Sequence, residues 1–309
     1  MNEIKAFLSK NQIEFVENFE IASISTIKLG EIISLAIFPK DEKQLRKIIL
    51  RFFAKKTYFK VIGNASNVLF VSRVGYPVVI TSKMQDNIKI SGLEVKVSAG
   101  VLLSKLSDVL RKNELSGFEG LAAIPATIGG AIVNGAGAFG YNIYDRLVSI
   151  QAIVEGNEVE IFKNQINFKH HYSNLNGVFV LSAKFLFEKK SEYDIIKLLN
   201  KFSYMRTSSQ PAGFSLGSVY QKASEQSAGF FIERAGLKGK RFGGVMVSNK
   251  HANFFVNDGS GSVVDFLRLA SFVETTVGEH FGISLLPEIE KVGEKNETDW
   301  RLSYSFKKL

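Results

Sequence analysis

Residues 120–140 read GLAAIPATIGGAIVNGAGAFG, with six glycines and six alanines in 21 positions and no charge. This segment is a very poor helix: each interior glycine costs about 1 kcal/mol and Pro125 about 3 kcal/mol. Its length matches a membrane span. However, bulky apolar residues are few (Leu121, Ile124, Ile128, Ile132, Val133, Phe139), and Asn134 would lie deep in lipid. With no second candidate span, no membrane association is expected. The composition predicts instead a backbone that something large approaches closely, because glycine removes the side chain that would hold a ligand away. Tight packing of strand against helix is the competing use of the same residues.

The 309 residues are enough for two or three domains, and 45% hydrophobic with 22% charged residues is globular composition. There is no cysteine, so disulfides, thiolate chemistry and Cys-ligated metal sites are excluded, and no metal centre is expected. The opening MNEIKAFLSKNQIEFVENFE mixes acids through its length and lacks the apolar segment of a signal peptide, so a cytoplasmic protein is expected. The net charge of +9 is spread singly along the chain, without basic blocks. That pattern suits a small polyanionic substrate such as a nucleotide diphosphate, and no nucleic-acid partner is expected.

A short N-terminal helix is followed by a strand at SLAIFP and an amphipathic helix over DEKQLRKIILRFFAKK. TYFKVIGNASNVLF reads as two strands around a Gly-Asn loop. NIKISGLEVKVSAG and LVSIQAIVEGNEVEIF read as hairpins, the second turning at Glu155–Asn157. VLLSKLSDVLRKNEL is helical and VFVLSAKFLF a strand. Character changes near 190, where Ser191 caps a helix over SEYDIIKLLNKFSYM. Further helices are expected over SEQSAGFFIERAG, stopped by Gly236, and from Ser262 to Gly282 with Ser262 and Asp265 as a capping pair. GGVMV, NFFVN and ISLLPEIE read as strands. The absence of a regular βαβ beat makes the class α+β.

Two loops have the composition of phosphate sites. In GNASN (Gly63, Asn64, Ala65, Ser66, Asn67), small residues expose successive N–H groups, with Ser66 and Asn67 adding side-chain donors; the alternative is a plain β-turn. In IPATIGGAIVNGAGAFG, Thr127, Gly129 and Gly130 suit a diphosphate and the Ala/Gly backbone a flat ring system. Neither loop fits the G-x-G-x-x-G dinucleotide fingerprint.

Taken together, GNASNVLF and GFEGLAAIPATIGGAIVNGAGAFG resemble the FAD-binding half of the UDP-N-acetylenolpyruvoylglucosamine reductase family. SISTIKLGE, RTSSQPAGFSLGSVYQ, SAGFFIERAGLKGKRFGGVMVSNKHANFFVN and GISLLPEIEKVG resemble its other blocks, in the same order, over about residues 20 to 293. The resemblance implies an α+β fold with a two-part FAD-binding region of the vanillyl-alcohol-oxidase type and a C-terminal α+β substrate domain. The expected division is 1–75 and 76–190 for FAD, 191–293 for substrate, and a tail from 294 to 309 without an assigned role. It implies non-covalent FAD, NADPH as co-substrate and a UDP-sugar substrate, the compact subtype of an enzyme that makes UDP-N-acetylmuramate for peptidoglycan.

Carried over residue by residue, the resemblance puts the proton donor at Ser218 of GSVY and the catalytic glutamate at Glu288. Cofactor contacts fall on the first loop with Leu69, on Ile124, Pro125, Ala126 and Thr127, and on Gly129, Gly130, Asn134, Gly135 and Gly137. Arg206, Lys238 and Lys240 are candidates for the UDP diphosphate; His251 and Asn253 either order the substrate site or only pin a turn to the sheet.

The chain departs from the family at FKHHYSNL, where an arginine is expected before the serine; His171 stands there instead and is the third catalytic candidate, able to donate one hydrogen bond and, when protonated, a charge. Histidine lacks the permanent charge and bidentate fork of arginine. The departure leaves two other readings open: a flavin- or nucleotide-binding paralogue without catalysis, and a flavin oxidoreductase with another substrate. Ala65 and Ala126 stand where the two loops usually carry glycine; a positive φ at either would cost on the order of 1 kcal/mol.

Overall fold

The computed structural model describes residues 1–169, 172–223 and 225–293. His171 and the tail from 294 lie outside the described residues. α1 (Asn2–Lys10) leads into β1 (Glu14–Glu20), which pairs antiparallel with β2 (Ile32–Phe38). In α2 (Glu42–Ala54) the Asp41 carboxylate accepts from Gln44 N at 2.8 Å. Leu45, Ile48, Ile49 and Phe52, at helical spacing, are all buried.

After β3 (Lys60–Ile62) and β4 (Val68–Phe70), β5 (Val74–Ile80) inserts between β2 and β3, parallel to both, giving the order β1-β2-β5-β3. The sequence expectations contained neither β1 nor β5. β1 is EFVENFE, a sheet-edge strand that buries little. β5 carries Pro77, which argues against an interior strand. Its pairing with β2 shifts register between Ile33 and Leu35, whose partners are Val74 and Pro77, and the irregularity accommodates the proline.

A second, five-stranded antiparallel sheet contains the two expected hairpins. Its order is Asn157–Phe162, Leu147–Val154, Val178–Leu186, β7 (Glu94–Ser98) and β6 (Ile88–Ser91). The turn at 155–157 has positive φ at both Glu155 and Gly156, the geometry that matches strand twist in a tight hairpin. α3 (Leu103–Lys112) and α4 (Ile128–Val133) cover one face through Leu103, Leu106, Leu110, Ile128 and Ile132. On the other face, Ile153, Phe179 and Leu181 join the α2 cluster, so α2 is packed between the two sheets, and Phe59 stacks on Phe179 at 4.9 Å.

α5 (Glu192–Ser209), capped by Ser191, leads to a three-stranded antiparallel sheet, 241–242, 245–247 and 255–257. α6 (Ala228–Arg234) and α7 (Val263–Phe281) share its core with Ile27, Leu29 and Leu69. α6 starts later than expected, because Ser227 is its cap. α7 has the expected capping box at Ser262 and Asp265 and a left-handed Gly282. ISLLPEIE is irregular up to Pro287; only Glu290–Val292 is a strand, and it pairs parallel with β4. Glu288 is thereby carried to the loop of residues 63–67. No helix among the described residues is long and apolar enough to cross a membrane.

Candidate active site

A cavity of about 650 Å³ collects both loops, Arg206, Thr207, residues 210–213 and 215–218, Lys250 and Glu288. A second, of about 540 Å³, runs from Tyr58 and Tyr76 to Val178 and shares Gly63, Val68, Gly130 and Asn134 with the first. The two cavities meet the same wall at Gly63 and Gly130.

The glycines at that junction have different uses. A Cβ on Gly63 would lie 2.3 Å from Thr127 Oγ1, and one on Gly129 would lie 3.0 Å from Ala99 Cβ, so these two make room for protein. Gly130 lines both cavities, and a Cβ there would meet only Thr127 Oγ1, at 3.3 Å. Of the two uses foreseen for residues 120–140, tight packing is present at Gly129.

The expected diphosphate cradle at Thr127, Gly129 and Gly130 is taken up by the protein itself. Ile128 N–H donates to Val101 O and Gly129 N–H to Ala99 O, each at 2.8 Å. Thr127, 1% exposed, accepts from Gly130 N at 3.3 Å as the cap of α4. In GNASN the situation is reversed. Among the described residues no N–H from Gly63 to Asn67 donates to a protein acceptor, so this loop is the available set of backbone donors for phosphate. Asn64 Nδ2 ties it to the second loop by donating to Pro125 O at 2.9 Å.

Ala65 has φ 45°, the left-handed region, whereas Ala126 does not have a positive φ. Ala65→Gly is expected to change unfolding stability by less than about 1 kcal/mol, since relief of strain is offset by loss of a buried methyl. Ala126→Gly is expected to cost about 1 kcal/mol, with only loss of backbone restriction to register. Urea titration of the two variants checks the contrast.

Ser218 and Glu288 line the same cavity and are joined through one residue. Ser218 sits opposite Phe254 in an isolated bridge, and Val219 O accepts from Glu288 N at 2.8 Å. Asn67 Nδ2 donates to Glu288 O at 3.3 Å, so Asn67 also braces the glutamate. Burial pushes the Glu288 carboxyl up from 4.5 to about 7, so near neutral pH it can hold or release a proton.

Arg206 lines the cavity, and burial lowers its pKa although a guanidinium stays charged at working pH. Lys250 lines it as well, its Nζ donating to Thr207 O. The other predicted substrate residues are not brought to this cavity. Lys238 pairs with Glu233 at 2.6 Å, and Lys240 lies over the Phe242 and Phe272 rings at 5.5 and 4.5 Å. His251 packs on Phe254, with its pKa lowered mainly by burial, and Nδ1 accepts from Asn253 N. Asn253 is 6% exposed with both amide groups bonded to Tyr220. Leu69 is fully buried in the third core, and Gly135 does not line either cavity. Thr26, Gln210 and Lys250 line the site without having been foreseen. Ser173 Oγ donates to Val133 O at 2.7 Å, fixing Ser173 to the end of α4.

Two family models match the chain: one described as FAD binding domain, over residues 33–161, and one described as UDP-N-acetylenolpyruvoylglucosamine reductase, C-terminal domain, over residues 210–292. The UDP-N-acetylenolpyruvoylglucosamine reductase of Latilactobacillus sakei is 32% identical over 96% of this chain and 100% of its own length. That of Carboxydothermus hydrogenoformans is 36% identical, over 90% and 94%. The crystal structure of UDP-N-acetylenolpyruvylglucosamine reductase from Thermus caldophilus matches with a TM-score of 0.75 at 27% identity, covering 90% of this chain and 98% of that one.

Proposed function

The chain belongs to the UDP-N-acetylenolpyruvoylglucosamine reductase family and is an FAD-dependent oxidoreductase; on that premise, we propose that it reduces UDP-N-acetylglucosamine enolpyruvate to UDP-N-acetylmuramate with NADPH, for peptidoglycan synthesis. The observation that carries this reading is the convergence of Ser218, Glu288, Arg206 and Lys250 on the cavity that contains the free N–H groups of residues 63–67.

When bound and reduced by NADPH, the flavin would supply the hydride. The protein's residues then have an enolate-like carbanion to manage. Ser218 donates its hydroxyl proton to the substrate carbon, and protonated Glu288 offers a hydrogen bond to the developing charge. Arg206 and Lys250 hold the UDP diphosphate, while the 63–67 amides hold the cofactor pyrophosphate. Small residues along 124–137 would let the flat ring approach the backbone.

The test is anaerobic. FAD-loaded protein mixed with NADPH should bleach, and addition of the enolpyruvyl substrate should restore flavin absorbance; bleaching without recovery would overturn the substrate assignment. Arg206→Met is expected to raise the substrate KM about 10- to 100-fold by removing a charge-assisted contact. Lys240→Met is expected to leave it unchanged. A steady-state series in substrate separates the two.

A further inference from the structure

We propose that Asn253 is a positioning residue: it sets Ser218 against Glu288 by gripping the backbone between them. The inference rests on the reading of Ser218 as proton donor.

Residues 218–221 form the middle of a narrow ladder. On one side Val219 N donates to Asn253 O at 2.9 Å, with Ser218 opposite Phe254. On the other, Glu288 N donates to Val219 O at 2.8 Å, Gln221 N donates to Leu286 O at 2.9 Å, and Tyr220 faces Pro287. A single peptide segment therefore connects the two proton-carrying groups, and any slide of it changes their spacing.

The Asn253 side chain blocks that slide. Its Oδ1 accepts from Tyr220 N at 3.0 Å and its Nδ2 donates to Tyr220 O at 2.8 Å, so one buried amide satisfies both backbone groups of Tyr220. A strand neighbour would ordinarily supply these partners from its own backbone, but here the chain turns away. The turn is itself built from side chains: Ser248 Oγ accepts from Lys250 N at 3.1 Å and His251 N at 3.2 Å, and His251 Nδ1 accepts from Asn253 N at 3.3 Å. From the far side, Tyr220 OH donates to Ala270 O at 3.2 Å, anchoring the segment to α7. The amide thus has no freedom to contact substrate. Its influence on the reaction is transmitted through Ser218.

A misplacement of about 1 Å at a reacting group can cost about 10²-fold in rate, and the geometry confines that cost to the proton-transfer half of the cycle. The experiment compares FAD-loaded wild type, Asn253→Asp, Asn253→Gln and Ser218→Ala in separate stopped-flow steps. Asp retains the acceptor for Tyr220 N–H but sets a carboxylate oxygen against Tyr220 O; Gln retains both groups on a longer stem and serves if the Asp variant fails to fold. The expected result is flavin bleaching by NADPH within about twofold of wild type, and substrate-dependent recovery slowed about 10- to 100-fold, with substrate KM unchanged. Equal slowing of both steps would reduce Asn253 to a structural residue and overturn the proposal, as would unchanged recovery. If Ser218→Ala itself recovers at the wild-type rate, the donor assignment fails and the proposal falls with it. Slow recovery in Ser218→Ala beside normal recovery in both Asn253 variants overturns the positioning role alone.

Discussion

Glu288→Gln is expected to lower substrate-dependent turnover by about 10²- to 10⁴-fold while leaving reduction by NADPH close to wild type, because the carboxyl is used only when charge develops on the substrate. The wild-type rate should fall as pH rises through about 7, the value to which burial pushes this carboxyl. Glutamine cannot titrate, so its residual activity should lose that limb. The same group makes a separate prediction about stability. An acid whose folded pKa is raised favours the folded state while protonated, and this contribution is complete below the ordinary value of 4.5 and lost as pH rises through about 7. The gap is worth at most about 3 kcal/mol. Between pH 5 and pH 8 wild type should therefore lose stability relative to Glu288→Gln, and urea midpoints at the two values check it. A parallel pH response in the two proteins would mean that Glu288 is not held protonated by the fold.

Which parts of this site were readable from the chain depends on how local their causes are. Hairpin alternation in LVSIQAIVEGNEVEIF, the capping pair Ser262–Asp265 and the terminating Gly282 are decided within a few residues, and all form as expected. The α+β class follows from the same local patterns. β5 was hidden because Pro77 opposes a strand locally, and only the irregular pairing with β2 makes it acceptable. The lysines show the limit most clearly. Lys238, Lys240 and Lys250 have the same chemistry within thirteen positions, yet only Lys250 faces the cavity. Nothing in the local sequence distinguishes it, since Glu233 and two phenylalanine rings engage the others only after the chain folds. Loop composition was equally ambiguous. Both Gly-rich segments suggested phosphate, but α4 packs against residues 99–101 and consumes the amides of the second. Donor availability is a property of tertiary hydrogen bonding, and composition does not encode it.

Gly63→Ala is expected to destabilise the protein by about 1–3 kcal/mol and to release FAD on desalting. The new Cβ would lie 2.3 Å from Thr127 Oγ1, well inside van der Waals contact. Thr127 has no easy retreat, because it is buried and its hydroxyl caps Gly130 N. Relief therefore requires either breaking the cap, worth about 1 kcal/mol, or moving the whole first loop, at the about 1–3 kcal/mol typical of overpacking. The second route displaces the unpartnered amides of residues 63–67, so cofactor affinity and stability fall together. The mechanism is testable through its partner. Thr127→Ala removes Oγ1 and Cγ2 and leaves Cβ, 3.3 Å from the new methyl, as the nearest Thr127 atom. In that background Gly63→Ala should cost about 1–3 kcal/mol less than in wild type, a coupling well above the few tenths expected of independent sites. Additive losses would place the clash elsewhere, and Gly63 would then be required for the cofactor's own approach rather than for the seam between the two loops.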